Sequence, residues 1–217
     1  MKFEAILFDC DGVLVDSEPI THGVLRQMLA ERGWDMPIEQ CMRHFIGRTV
    51  RSQAALIAAR TGRPLTDDWM TAFYARRDAE LHARLQAIDG APQAVRAAHA
   101  ATGGRIACAS GADRGKVVLQ LRKTGLDAWF GPHVFSGHEL PRSKPAPDVY
   151  LAAARALGVA PARCLVIEDT VTGVQAGVAA GATVWGYCAQ GADGGPLVEA
   201  GATRLFARMG QLPELWM

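Results

Sequence analysis

Two hydrophobic rhythms divide this chain. Residues 3–8, Phe-Glu-Ala-Ile-Leu-Phe, are an almost unbroken apolar run of strand length, the pattern of a strand buried on both faces of a parallel sheet. After Asp16-Ser17-Glu18-Pro19 the apolar spacing lengthens to that of a helix, with Val24, Leu25, Met28 and Leu29 on one face and Gly33 as the stop. Helical patterns continue through residues 37–45 and 49–61, break at Gly62 and Pro64, and resume from Thr66-Asp67-Asp68 to Leu85. No strand pattern interrupts residues 17–86, which predicts a small all-helical module inserted after the first strand. Its crossings at Ser17-Glu18-Pro19 and Asp89-Gly90-Ala91-Pro92 are the expected hinges.

From Pro92 onward helix and strand patterns alternate. Helix to residue 101, strand 105–109, helix 116–123, strand 133–135, helix 148–157, strand 164–167, helix 172–180 and strand 183–187 are predicted, and the tail from Gly194 carries a weaker pattern. This alternation predicts an α/β fold with a doubly wound parallel sheet, residues 1–16 and 87–217 forming the core domain and residues 17–86 the helical insertion. Ligands in such folds sit beyond the carboxyl ends of the strands, where the strand order reverses.

Composition narrows the setting. Hydrophobic residues make up 49% of the 217, ample for a core, and a formal net charge of +1 gives no footprint for nucleic acid or an anionic membrane. The five cysteines are odd in number and form no CxxC pair, which fits reduced thiols packed as small hydrophobes. Glu4 and Asp9 interrupt the first apolar run, and no run approaches bilayer length. The expectation is a cytoplasmic monomer or weak dimer whose partner is a small phosphorylated metabolite.

The residues just past the strand ends are, in order, Asp9 and Asp11, Ser110-Gly111, Lys144, and Glu168-Asp169. If the strand persists beyond Phe8, its period of two places Asp9 and Asp11 on one side, and Gly12 turns the chain away. Two carboxylates about 4 Å apart at an effective dielectric near 20 repel by roughly 4 kcal/mol, so the pair needs a cation, a proton or both. Ser110 precedes a predicted helix, where its hydroxyl and the amides of Gly111 and Ala112 suit an anion. Lys144 precedes Pro145, which biases it towards an extended conformation that can aim the side chain inward. Each feature alone also fits a structural role: a solvated Asp-Gly turn, a serine N-cap, a surface lysine, an acidic helix start. Four carboxylates, a hydroxyl and an ammonium converging on one crevice are more charge than a structural sheet edge needs.

The order and spacing of these residues resemble the haloacid dehalogenase superfamily over nearly the whole chain. The resemblance rests on Asp9, Asp11 and Gly12 with Asp16-Ser17, on Ser110, on Lys144-Pro145, and on Glu168-Asp169 ahead of a helix holding Gly173 and Gly177. It implies a Rossmann-like core with a helical cap and a Mg2+-dependent phosphatase. Asp9 would be the nucleophile that forms an aspartyl phosphate, and Asp11 the general acid and base. Ser110, Gly111 and Lys144 would hold phosphoryl oxygens. Asp9, Asp11 through its backbone carbonyl, and Asp169 would bind the metal, with Glu168 beside it. Direct attack by a metal-activated water is the alternative that spacing leaves open. Haloacid dehalogenases lack the second aspartate, so Asp11 favours phosphate chemistry over carbon–halogen cleavage.

Two other readings stand beside the phosphatase: a phosphosugar mutase resembling β-phosphoglucomutase, and a non-catalytic sugar-phosphate-binding module. The mutases carry a cap histidine where this chain has Thr21; His22 is one position, about 100° of helix, further on. The stretches Phe8-Asp9-Cys10-Asp11-Gly12, Phe135-Ser136-Gly137 and residues 211–216 further resemble the 6-phosphogluconate phosphatases of the superfamily, implying a sugar or sugar-acid phosphate as substrate. Glu18, Gly47, Arg48 and Arg51 are the candidate cap contacts, an arginine suiting the sugar-acid carboxylate, although either arginine also fits a solvated helix end. The row Gly173, Gly177 and Gly181 reads as helix packing and lacks a dinucleotide fingerprint.

Overall fold

In the computed structural model, which describes residues 3–46 and 48–216, the chain separates into two units: residues up to Val15 together with those from Gln86 onward, and Asp16–Leu85. The second unit is helical: α1 (Glu18–Ala30), α2 (Ile38–Phe45), α3 (Ala54–Thr61) and α4 (Asp67–Arg84). The predicted apolar face of α1, Val24, Leu25, Met28 and Leu29, is buried in one core with Phe45, Ile57, Met70 and Phe73. Pro19 sits in the first turn of α1, where no intrahelical donor is needed, and Thr66 caps α4 by accepting the Trp69 N–H at 3.2 Å. Residues 49–61 do not form the single helix expected. The Ser52 N–H donates to the Thr49 hydroxyl (3.1 Å) and the Ser52 hydroxyl to the Thr49 carbonyl (2.7 Å), so a 3₁₀ turn, Arg51–Gln53, precedes α3.

The first unit is built on six parallel strands, β1 (Ala5–Phe8), β2 (Ile106–Ser110), β3 (Val134–Ser136), β4 (Cys164–Glu168), β5 (Thr183–Tyr187) and β6 (Arg204–Phe206), in the order β3-β2-β1-β4-β5-β6. Between and after the strands come α5 (Ala91–Thr102), α6 (Arg114–Lys123), α7 (Asp127–Phe130), α8 (Asp148–Ala156), α9 (Val171–Ala179), α10 (Gly195–Glu199) and α11 (Leu212–Leu215). Every residue of β1, β2 and β4 is buried, which is why their apolar runs are continuous rather than alternating. Val149, Tyr150 and Ala153 of α8 and Val174 of α9 pack with Leu7, Val166 and Val184 in one core.

Most boundaries shift by a residue or so from expectation, and three differences have local reasons. β1 starts at Ala5, and Phe3 packs edge-on against Trp185 with ring centroids 5.7 Å apart. α6 starts at Arg114 because Asp113 caps it, accepting the Lys116 N–H at 2.8 Å. The weakly patterned tail supplies a sixth strand: the Thr203 N–H donates to the Val184 carbonyl at 2.8 Å, and Arg204 stacks over Trp185 while donating to the Leu215 carbonyl at 2.9 Å.

From β1 the chain winds outward through β2 and β3, then crosses to β4 on the other side of β1. The order therefore reverses at β1, and the crevice beyond the ends of β1 and β4 is the ligand position for this topology. Leu7, in register with Ala107 and Val166 at the centre of the sheet, is almost fully buried. Leu7→Ala is expected to lower the unfolding free energy by about 3 kcal/mol, measured by urea titration, because the sheet cannot collapse around the cavity.

Candidate active site

Phe8 is in register with both Cys108 and Ile167, so the chain emerges from three neighbouring strands at one level. Asp9 follows β1 directly, its N–H bonded to the Ile167 carbonyl at 3.0 Å, while Ser110 and Glu168 end β2 and β4. The loop after β3 delivers Lys144, whose Nζ donates to Asp9 Oδ1 at 2.5 Å and to Glu168 Oε1 at 2.6 Å. All three side chains are buried. The Tyr150 ring lies 4.8 Å from the ammonium, and its hydroxyl donates to Glu168 Oε1 at 2.7 Å. Glu168 Oε2 accepts the N–H groups of Asp169 (3.0 Å) and Thr170 (3.1 Å) and the Thr170 hydroxyl (3.1 Å). With both oxygens engaged, Glu168 anchors Lys144 rather than facing outward. A Cβ on Gly173 would lie 1.8 Å from Glu168 Oε1, so this glycine, read from sequence as helix packing, is the space the carboxylate occupies.

The electrostatics follow from burial. Burial pushes the Asp9 carboxyl up to about 8, with Glu168 and Asp11 adding to the rise and Lys144 opposing it. Burial pulls the Lys144 ammonium down, but Asp9 and Glu168 overcome this and hold it well above its usual range. Burial also raises Glu168, yet Lys144 and the hydrogen bonds from Tyr150 and Thr170 win and keep it below its usual range.

Asp9, Glu168 and Asp169 each bring a carboxylate oxygen within 4.8 Å of the others. Gly12, at φ +78°, makes the approach possible, since a Cβ there would lie 2.0 Å from Asp169 Oδ2. Three carboxylates against one ammonium leave excess negative charge, and the all-oxygen donor set suits a hard divalent cation. Because Glu168 is already fully hydrogen-bonded, Asp9 and Asp169 are the side chains fitted to hold such an ion.

Asp11 acts on Asp9 through its charge, as the expected pair of carboxylates would, but its own partners lie elsewhere. β1 ends at Phe8, Leu14 and Val15 both return their N–H groups to the Cys10 carbonyl (2.9 and 3.1 Å), and the Asp11 carboxylate meets α6 instead. Its Oδ1 accepts from Lys116 Nζ and from Gln120 Nε2, both at 2.7 Å. Each aspartate thus has its own lysine. Lys116, Gln120, Tyr150 and Thr170 were not among the residues singled out from sequence. The only signal for the first two is their i, i+4 spacing beside the buried Val117 and Leu121, which puts them towards the core.

The Ser110 hydroxyl accepts the Ala112 N–H at 3.0 Å, and α6 is capped by Asp113. Ser110 is therefore not the helix N-cap, and the Ala112 amide is spent within the loop rather than offered to an anion. A Cβ on Gly111 would lie 3.9 Å from Lys144 Cδ, which sets the Ser110-Gly111 turn beside the lysine. The Ser136 hydroxyl braces the same loop by donating to the Ala112 carbonyl at 2.6 Å.

In the helical unit, His22 Nδ1 lies 2.8 Å from Glu18 Oε2 and 2.9 Å from the Glu18 carbonyl oxygen. Arg51 pairs with Asp67 at 2.9 Å, so its guanidinium is engaged within the unit, whereas Arg48 is exposed. Gly47 lies outside the described residues. Among the described residues the cysteines are all free thiols, and no helix is long and apolar enough to cross a membrane.

Comparison with known proteins places these features in context. The model of the haloacid dehalogenase-like hydrolases matches residues 3–181. The 6-phosphogluconate phosphatase of Escherichia coli strain K12 is 31% identical over 216 residues, spanning 99% of this chain and 95% of that protein. A phosphorylated carbohydrates phosphatase of Thermotoga maritima is 28% identical, covering 93% of each chain. Among solved structures, a HAD family hydrolase from Deinococcus radiodurans with bound phosphate and sodium superposes with a TM-score of 0.80 at 37% identity, over 97% of this chain and 93% of that one.

A divalent cation held by these carboxylates is expected, at 100 times its dissociation constant, to stabilise the protein by about 2.7 kcal/mol, read as an upward shift of the thermal midpoint. Asp169→Asn is expected to remove most of that shift; an undiminished shift in the variant would put the ion elsewhere.

Proposed function

The chain belongs to the haloacid dehalogenase-like hydrolase family and is a phosphoric monoester hydrolase, and from that premise we propose that it is a Mg2+-dependent phosphatase of small sugar or sugar-acid phosphates. The observation that carries the reading is the Lys144 ammonium buried between Asp9 and Glu168, because it provides charge at the one place where a carboxylate and a phosphoryl group must approach each other.

In this reading an Asp9 oxygen attacks phosphorus; the new P–O bond forms as the bond to the substrate alkoxide breaks, and Asp11 passes its proton to that alkoxide. Water then attacks phosphorus, gives a proton to Asp11, and displaces Asp9, which returns as a free carboxylate beside inorganic phosphate. Lys144 accompanies the phosphoryl oxygens through both steps, and the Ser110 hydroxyl with the Gly111 amide holds one of them. A Mg2+ held by Asp9, Asp169 and the Asp11 carbonyl supplies further neutralisation of phosphoryl charge. The E. coli relative, a 6-phosphogluconate phosphatase, supports a sugar-acid phosphate as substrate. Substrate selection is assigned to the helical unit, where the exposed Arg48 suits a carboxylate and Arg51 would first have to leave Asp67.

A mutase is disfavoured by Thr21 at the position of the mutase histidine and by the bonding of His22 to Glu18. With Mg2+, the protein is expected to release inorganic phosphate from 6-phosphogluconate or a related member of a sugar-phosphate panel, and Asp9→Asn to lower kcat by at least about 1,000-fold. With β-glucose 1-phosphate, phosphate and glucose are expected rather than glucose 6-phosphate. No phosphate from any panel member, or an Asp9→Asn variant that turns over normally, would overturn the reading.

A further inference from the structure

Asp11 is held by machinery separate from the Lys144 cluster. Lys116 is a nearly buried ammonium on α6, and Gln120, one turn on and fully buried, donates to the same Asp11 oxygen. The partners determine the orientation of Gln120: its amide NH2 donates to the same Asp11 Oδ1 that accepts from Lys116, its Oε1 accepts from the Cys10 thiol at 3.4 Å, and Asp11 Oδ2 is the oxygen to carry the proton. Residues four apart share one helix face, so α6 presents the two donors as a fixed pair. The helix is itself anchored by its Asp113 cap and by buried Val117 and Leu121. A lysine in this position costs heavily in desolvation, and an apolar residue would pack the core at least as well.

We propose that Lys116 and Gln120 are positioning residues that set the Asp11 carboxyl group for proton transfer and keep it from competing with Asp9 for Lys144 and the cation. This rests on the phosphatase reading above. Asp11 lies two residues from Asp9, and a carboxylate free to rotate there would be drawn to the same charges. Two lysines divide the work: Lys144 serves Asp9, which bonds to phosphorus, and Lys116 serves Asp11, which only gives a proton to the departing alkoxide and takes one from the attacking water.

The two halves of the reaction test this division. An alkoxide leaves poorly without a proton, whereas p-nitrophenolate leaves as the anion. A misplaced Asp11 should therefore slow transfer of phosphorus to Asp9 from an alkyl phosphate but not from p-nitrophenyl phosphate, while slowing the later hydrolysis for both. In rapid-mixing experiments, Lys116→Met is expected to lower kcat on a sugar phosphate by about 100-fold. With p-nitrophenyl phosphate it is expected to keep a wild-type burst of p-nitrophenolate, about one per active site, followed by slow turnover. Lys116→Arg is expected to recover most of the lost rate, and Gln120→Met to give the same pattern more weakly. Equal loss of the burst and of alkyl turnover in a variant with wild-type circular dichroism, or no loss in either, would overturn the proposal. Should Lys116→Met fail to fold, Gln120→Met decides by the same comparison. Turnover surviving Asp9→Asn would instead refute the phosphatase mechanism, whatever Lys116 does.

Discussion

The Lys144 ammonium, buried between Asp9 and Glu168, sets the terms for everything around the ends of β1, β2 and β4. A charge in that position is tolerable only while both carboxylates face it, and deleting one partner of a buried pair typically costs about 3–5 kcal/mol because the other is stranded. Glu168 meets this demand with no capacity to spare: five donors, from Lys144, Tyr150, Asp169 and Thr170, converge on its two oxygens. It cannot turn elsewhere, so Lys144 cannot either, and Asp9 is left as the member of the trio able to change its bonding.

Backbone geometry makes room for this charge. Gly173 gives the space in which Glu168 lies, and Gly12 lets Asp169 come against the first turn after β1. Any side chain at either position would push a carboxylate out of the cluster, so these two glycines act on the chemistry as directly as the charged groups. The same turn sets Asp11 against α6, so two aspartates only two residues apart, each within reach of the other's charge, have different counter-ions. Acidic groups that begin alike can take different tasks once each has its own counter-ion.

The parallel sheet was legible because its central strands are buried on both faces, leaving runs such as Ala5–Phe8 and Cys164–Glu168 that nothing polar interrupts. Asp9, Ser110, Glu168 and Asp169 were legible because a polar residue closing such a run has to stand at a strand end, and Lys144, in the loop beyond β3, through the proline that follows it. Less visible was whatever hydrogen bonding between distant segments decides. Thr49 and Ser52 shortened a helix whose apolar spacing continued through them, and β6 exists through its pairing with β5 rather than through its own exposed Arg204 and Leu205. Lys116 and Tyr150 were hidden in plain helical patterns, since a lone lysine or tyrosine in such a pattern looks the same whether it faces solvent or a carboxylate more than a hundred residues away in Lys116's case.

By itself the sequence determined the elements, their alternation, the helical insertion and the set of chemically capable residues, because apolar periodicity and turn residues act over a few positions. Only the tertiary structure decided which charge meets which. It bound Lys144 to Asp9 and Glu168, gave Asp11 to Lys116 and Gln120, took the Ala112 amide for Ser110, and turned Arg51 to Asp67. Ion pairs and hydrogen bonds depend on ångström distances between segments remote in the chain, and those distances exist only once the strands are in register and the helices have packed.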